Sequence, residues 1–182
     1  MDLTHIALNS VPPQGLDLDV PDASAWLQPS LREYAMDCRI AEPVAVHALI
    51  LPQDSGCLVR GNMKGLVLLP CDRCAEDTAF RIDQDFDEYE EYALPAGGEE
   101  DAEGVFPSES AVFSEDGALF LNLASLLWEE FSLALPAKPL CRTDCKGLCP
   151  VCGRNLNQGP CGCPREEGDP RLSALRQLKM KQ

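Results

Sequence analysis

Eight of the ten cysteines fall in two short tracts whose spacing is that of metal ligands. Cys71 and Cys74 form a Cys-x2-Cys pair. Farther along, Cys141-x3-Cys145-x3-Cys149-x2-Cys152-x8-Cys161-x-Cys163 sets six thiols within 23 residues. A borderline-soft divalent cation such as Zn2+ takes four thiolates at tetrahedral angles, and a Cys-x2-Cys turn presents two sulfurs from one bend of the chain. Eight ligands suffice for two closed four-thiolate sites, hence an expectation of two Zn2+ per chain. Closed sites hold structure, whereas catalytic ones keep an open position. The pattern therefore demands that distant segments meet, and it points to a binding scaffold rather than an enzyme.

The favoured grouping joins Cys71 and Cys74 to Cys141 and Cys145. Cys149, Cys152, Cys161 and Cys163 then form a local second site. The other partition, Cys71 and Cys74 with Cys149 and Cys152, fits the spacing too. An iron–sulfur reading is disfavoured because the common ferredoxin spacings are not matched. A thioredoxin-like pair needs a βαβ setting that the pattern lacks. A thiol redox sensor using the Cys71/Cys74 pair stands as the alternative. Cys38 and Cys57 lie outside the tracts and read as ordinary thiols.

At 182 residues and 45% hydrophobic content, the chain can build one domain with a real core, or one domain and a small appendage. No apolar run approaches the ~18–20 residues of a membrane span, so no membrane association is expected. The N-terminal residues show neither a basic segment nor an apolar one of the secretory kind, which places the chain in a reducing cytoplasm. There, clustered thiols favour metal over disulfide. The net charge of -15 is unevenly spread: residues 76–116 hold 15 acidic residues and one basic one, Arg81. Such a belt fits a basic partner or simple solubility better than non-specific nucleic-acid binding.

Three β segments are expected between Val44 and Phe86: Val44–Leu51, Cys57–Leu69, and an alternating run from Thr78 to Phe86. Gln53-Asp54-Ser55-Gly56 supplies a turn between the first two. Gly61 and Gly65 read as bulges or bends. The Cys71/Cys74 knuckle lies between the second and third segments. His5–Asn9 reads as a short edge strand and Pro21–Leu27 as a short helical turn. Residues 93–117 read as a long acidic loop, followed by a strand at Ala118–Leu121. Asn122 caps a helix with Leu123, Leu126, Leu127, Phe131 and Ala134 inside and Glu129 and Glu130 outside. Asp169-Pro170 opens a terminal helix with Leu172, Leu175 and Leu178 as its apolar stripe.

The expected fold is therefore α+β: an antiparallel sheet, curled towards a barrel, packed on the 122–135 helix, with a C-terminal Cys-rich zinc-knuckle region and a terminal helix. Its parts are an N-terminal strand and extension (1–40), an α+β core holding the acidic loop (41–140), and the knuckle tract with a basic helix (141–182). No phosphate-binding loop or nucleophile elbow occurs. His47 sits in an apolar strand run, where a satisfied core or face histidine outweighs a catalytic base. No catalytic residue is assigned.

Leu69-Pro70-Cys71-Asp72-Arg73-Cys74 resembles the signature of the bacterial YceD proteins, the large ribosomal RNA subunit accumulation proteins. So does the string from Cys141 through Cys145-Lys-Gly-Leu-Cys149-Pro-Val-Cys152-Gly to Asn157. Cys161-Gly-Cys163 followed by Asp169-Pro170-Arg171-Leu172 resembles the family's C-terminus. The likeness covers roughly residues 40–182. It implies a non-enzymatic accessory role in ribosome assembly, acting on large-subunit rRNA or its proteins. One route is chaperoning a basic ribosomal protein on the acidic surface 76–116. The other is rRNA binding through Arg142, Lys146, Arg154, Arg165, Arg171, Arg176 and Lys179.

Overall fold

The computed structural model describes residues 2–92 and 111–164. In chain order these form β1 (Ile6–Ala7), β2 (Leu16–Val20), α1 (Ser24–Glu33), β3 (Arg39–Pro52), β4 (Gly56–Pro70), β5 (Asp77–Glu91), β6 (Val112–Glu115), β7 (Ala118–Leu121) and α2 (Leu123–Ala134). Short 3-10 turns occupy Leu8–Ser10 and Leu156–Gln158. One antiparallel sheet has the order β2-β3-β4-β5 and a smaller one the order β1-β7-β6.

The large sheet follows from period-two patterning. Val44, Val46, Ala48 and Ile50 of β3, Cys57, Val59, Met63, Val67 and Leu69 of β4, and Ile82 and Phe86 of β5 are all buried. Both helices and the small sheet contribute to the same core, through Leu27 and Leu31, Leu126, Leu127 and Phe131, and Ile6, Val112 and Leu121. The opposite face is polar and cross-paired: Arg60 to Asp87 at 2.7 Å, Lys64 to Asp83 at 3.4 Å, His47 to Asp17 at 2.7 Å. Exposed pairs of this kind are worth about 0–1 kcal/mol each, against about 1.5–3 kcal/mol for each fully buried aliphatic side chain. Burial, not the ion pairs, holds the sheet. Asn122 caps α2 as expected, its Oδ1 accepting from the Ser125 N–H at 3.1 Å.

Several expectations need correcting. The sheet does not curl into a barrel: among the described residues β2 and β5 remain opposite edges, and the remaining strands form a separate sheet. Gly61 and Gly65 are not bulges of β4, which pairs with β5 in unbroken register. They sit on the core-facing side where neighbours come close. A Cβ on Gly61 would lie 2.2 Å from the His47 carbonyl oxygen and 2.5 Å from the Phe86 ring. One on Gly65 would lie 2.9 Å from Val44, beside the register shift that β3 itself carries between Glu42 and Ala45. The helical turn near Pro21 is the longer α1, and β2 and β6 were not anticipated. Val112–Glu115 pairs with β7 inside the segment read as loop. The rest of that loop, residues 93–110, and the terminal helix beginning at Asp169 lie outside the described residues.

Glu130 is also misplaced by the sequence reading, since it is buried at 4% exposure rather than facing solvent. It stands seven residues after Leu123, on the helix's apolar stripe, and α2 carries it against β5. Burial first, then the negative charge of Glu88, raises its pKa, with Gln84 partly compensating through a hydrogen bond. A carboxyl raised in the folded state favours folding most at pH below its unfolded value, and that contribution is lost as pH rises through the folded value. Glu130→Gln is therefore expected to stabilise the protein at pH 7 and to flatten the decline in urea midpoint from pH 4.5 upward. Equal pH profiles for variant and parent would show that Glu130 carries no such penalty. Gly61→Ala should cost about 1–3 kcal/mol in the same urea measurement, because Phe86 and the β3 backbone must both move.

Candidate metal centre

The β4–β5 connection is a tight knuckle. The Cys71 N–H donates to the Glu76 carbonyl at 2.9 Å and the Ala75 N–H to the Cys71 carbonyl at 2.8 Å. Ala75 takes a left-handed φ of 57° to close it. This curl turns the two sulfurs to one side. After α2 the chain returns to the knuckle: the Asp72 N–H donates to the Pro139 carbonyl at 2.9 Å and the Leu148 N–H to the Arg73 carbonyl at 2.9 Å. The Arg73 guanidinium donates to the Thr143 and Cys145 carbonyls at 3.3 and 2.9 Å. These bonds seat Cys141 and Cys145 over Cys71 and Cys74. Sulfur separations are 3.9 Å for Cys71–Cys145 and 3.7 Å for Cys74–Cys141. A disulfide would need about 2.05 Å. A tetrahedron with metal–sulfur bonds of about 2.3 Å has edges of about 3.8 Å. The four thiols thus fit a tetrahedral cation.

A second knuckle repeats the first. The Gly153 N–H donates to the Cys149 carbonyl at 2.9 Å, with Gly153 at φ 70° where Ala75 stands in the first. The Cys149 N–H donates to the Arg154 carbonyl at 2.8 Å. The 3-10 turn Leu156–Gln158 and then Gly159, at φ 129°, bring Cys161 and Cys163 round to Cys149 and Cys152. The eight thiols therefore gather as Cys71/Cys74/Cys141/Cys145 and Cys149/Cys152/Cys161/Cys163, each set with its sulfurs within 4.8 Å of one another. The partition of Cys71 and Cys74 with Cys149 and Cys152 is not the one adopted.

The electrostatics suit cation binding. Backbone N–H groups of Cys141, Arg73 and Cys74 hold the Cys71 thiol down to about 6. Those of Cys152 and Val151 do the same for Cys149, also to about 6. Cys145 is lowered first by the Asn157 amide. Burial pushes Cys141 up to about 12, and thiol contacts led by Cys152 push Cys163 to about 12. Cys71, Cys145 and Cys149 thus ionise most readily while Cys141 and Cys163 resist, a balance that a central divalent cation shifts towards thiolate.

Sequence reasoning passed over the roles of Arg73 and Asn157 in orienting these ligands. The Asn157 amide donates to Cys145 Sγ at 3.2 Å and accepts from the Lys146 N–H at 2.8 Å. Gly147, at φ 73°, lets the tract pass Arg73, whose carbonyl oxygen would stand 2.9 Å from a Cβ there. Only their place within the Cys string hinted at such roles. Of the basic residues singled out, Arg142, Lys146 and Arg154 are exposed on the tract, Arg142 lying 3.5 Å from Asp144. Arg165, Arg171, Arg176 and Lys179 lie outside the described residues. Cys38 and Cys57 are buried away from both sets, and burial raises each thiol to about 11. His47 is a sheet-face residue paired with Asp17. No helix among the described residues is long and apolar enough to cross a membrane.

The fold and its two thiol sets define a small α+β scaffold whose sheet is tied to a cysteine-rich tract by a four-cysteine junction. The chain belongs to the family described as large ribosomal RNA subunit accumulation protein YceD, whose sequence model matches residues 59–179. An uncharacterized protein of Mycobacterium tuberculosis is 32% identical over 123 residues, 66% of this chain and 54% of its own length. The chloroplastic YCED homolog 1 of Arabidopsis thaliana, a large ribosomal RNA subunit accumulation protein by name, is 25% identical over 156 residues, 75% of this chain and 49% of its own. The chain thus spans about half the length of these curated relatives. No solved structure matches.

The grouping makes a thermodynamic prediction. Cys71→Ser and Cys145→Ser should each lower the unfolding midpoint by roughly 10 °C, a few kcal/mol in a chain of this size. The double variant should add little, because either change alone opens the same junction. Additive losses in calorimetry would separate the two residues.

Proposed function

We propose that this chain is a non-enzymatic accessory factor in ribosome biogenesis, acting in the cytoplasm and supporting accumulation of large-subunit rRNA. Membership of the YceD family is the observation that carries the reading. The two thiol sets support it chemically: each is complete with four ligands, as structural Zn2+ sites are, and leaves no position for a substrate. In this reading all eight cysteines are Zn2+ ligands, two ions per chain.

The charge distribution favours a basic ribosomal protein as the direct partner. Residues 138–164 carry Lys138, Arg142, Lys146 and Arg154 against Asp144, a formal +3. Two centres of one divalent cation and four thiolates each contribute −2 apiece, which brings the tract to −1. Phosphate gains little there. β5, by contrast, holds seven carboxylates and one arginine, and Asp83, Asp85 and Asp87 are all exposed on the polar face. The second reading, direct rRNA binding through Arg142, Lys146 and Arg154 together with Arg165, Arg171, Arg176 and Lys179, rests on the exposure of the first three.

Binding of purified basic large-subunit proteins and of rRNA fragments across a salt series distinguishes the two. The triple change Asp83→Asn, Asp85→Asn, Asp87→Asn should weaken the protein complex roughly threefold or more, at 0.2–1 kcal/mol per exposed charge pair. Unchanged protein affinity with a steep salt slope for RNA would transfer the role to the tract. Elemental analysis should find two zinc ions per chain. Metal-free protein that forms a Cys71–Cys74 disulfide would instead establish the redox reading.

A further inference from the structure

We propose that the two cysteine sets are unequal: Cys71/Cys74/Cys141/Cys145 is a permanent staple, and Cys149/Cys152/Cys161/Cys163 is an exchangeable site for a thiophilic divalent cation. This rests on the reading of both sets as metal sites.

Access is the first difference. In the staple Cys71, Cys74 and Cys145 are at most 4% exposed, and only Cys141 reaches solvent. In the second set Cys149 alone is buried, Cys152 is exposed, and Cys161 and Cys163 are half-buried. Metal leaves a thiolate site by stepwise ligand replacement, so exposed sulfurs give water or a chelator its point of entry.

The second difference is what must move. Opening the staple separates the β4–β5 knuckle from the tract, against the bonds from Asp72 to Pro139, from Leu148 to Arg73, and from Arg73 to Thr143 and Cys145. A further bond, Gln158 to Glu76 at 3.2 Å, spans the same divide. The second set closes a loop of residues 149–163 on itself. A Cβ added at Gly153, Gly159 or Gly162 would meet nothing within 4 Å, so this loop is not packed against the sheets where those glycines stand. Asn157 and Gln158 tie the middle of this loop to the first set and the knuckle, so what can part is its two ends, Cys149–Cys152 and Cys161–Cys163, with those bonds kept.

Third, the sulfurs are held differently. Asn157 donates to Cys145 and is itself fixed by the Lys146 N–H. Among the described residues no side chain outside the second set donates to its sulfurs. Outer-shell bonds of this kind are typically worth 10–100-fold in metal affinity. The consequence is a scaffold that keeps its fold while the loop gains or loses its ion, and the ion decides whether Cys161 and Cys163 are pinned to the Cys149 knuckle.

The experiment uses the full chain loaded with zinc, mixed with excess EDTA, with released metal and far-ultraviolet circular dichroism followed together. The expected result is one equivalent released about tenfold or more faster than the other, with the strand signal lost only in the slow phase. Cys161→Ser should bind one equivalent, release it only slowly, and keep the parent's unfolding midpoint. Release of both equivalents in a single phase, or a Cys161→Ser protein that keeps the fast phase, overturns the proposal while leaving two zinc sites intact. A chain that binds no zinc at all overturns the metal reading with it, and elemental analysis tells these failures apart.

Discussion

The contact between the β4–β5 knuckle and the segment after α2 is the constraint on which the rest of the molecule depends. Residues 136–164 bury almost nothing apolar. Their buried side chains are Cys145 and Cys149, and the local cluster consists of Cys71, Cys74 and Cys145 with Leu140 beside it. A segment so poor in apolar surface cannot recover its ordering entropy by burial alone. Small scaffolds of this kind rely on covalent or metal staples. Four thiols that could hold a metal ion, with Arg73 and Asn157, are placed to serve that function here, at the tip of the longest hairpin of the main sheet.

The same junction shapes the electrostatics. Basic residues are concentrated near the cysteines, whereas β5 is rich in carboxylates. On inspection of sequence alone the tract looks like a phosphate-binding surface. Two four-thiolate centres, as proposed, would outweigh its positive charge, and Arg73 is engaged by backbone carbonyls. The uncompensated charge of the described molecule is negative and lies along β5, partly screened by Arg60 and Lys64. That asymmetry is the basis for proposing a cationic protein partner.

Much of this was legible in the residues. Period-two alternation marked β3, β4 and β5, Asn122 announced α2, and the Cys spacing singled out eight thiols while leaving two partitions open, of which the structure gathers the favoured one. What failed did so for identifiable reasons. Glu130 was read by its charge rather than by its place on a 3.6-residue stripe. β2 and β6 are short strands whose pairing depends on partners 30 residues away or on a two-residue turn at Asp116-Gly117, signals too weak to stand alone. Gly61 looked like a break in a strand, but its real reason is the Phe86 ring and the His47 carbonyl, which come from neighbouring strands.

By itself, the sequence marked β3, β4, β5 and α2, the eight clustered thiols and the family, because local periodicity, turn chemistry and ligand spacing act over a few residues. The tertiary structure alone decided that the sheet stays open, that Asn157 and Arg73 orient the first thiol set, and that three thiols of that set are buried against one of the other. Those properties come from which surfaces meet across seventy residues of chain. Burial and sulfur geometry at such a meeting are set by the packing of both sides together, and neither side's sequence carries them separately.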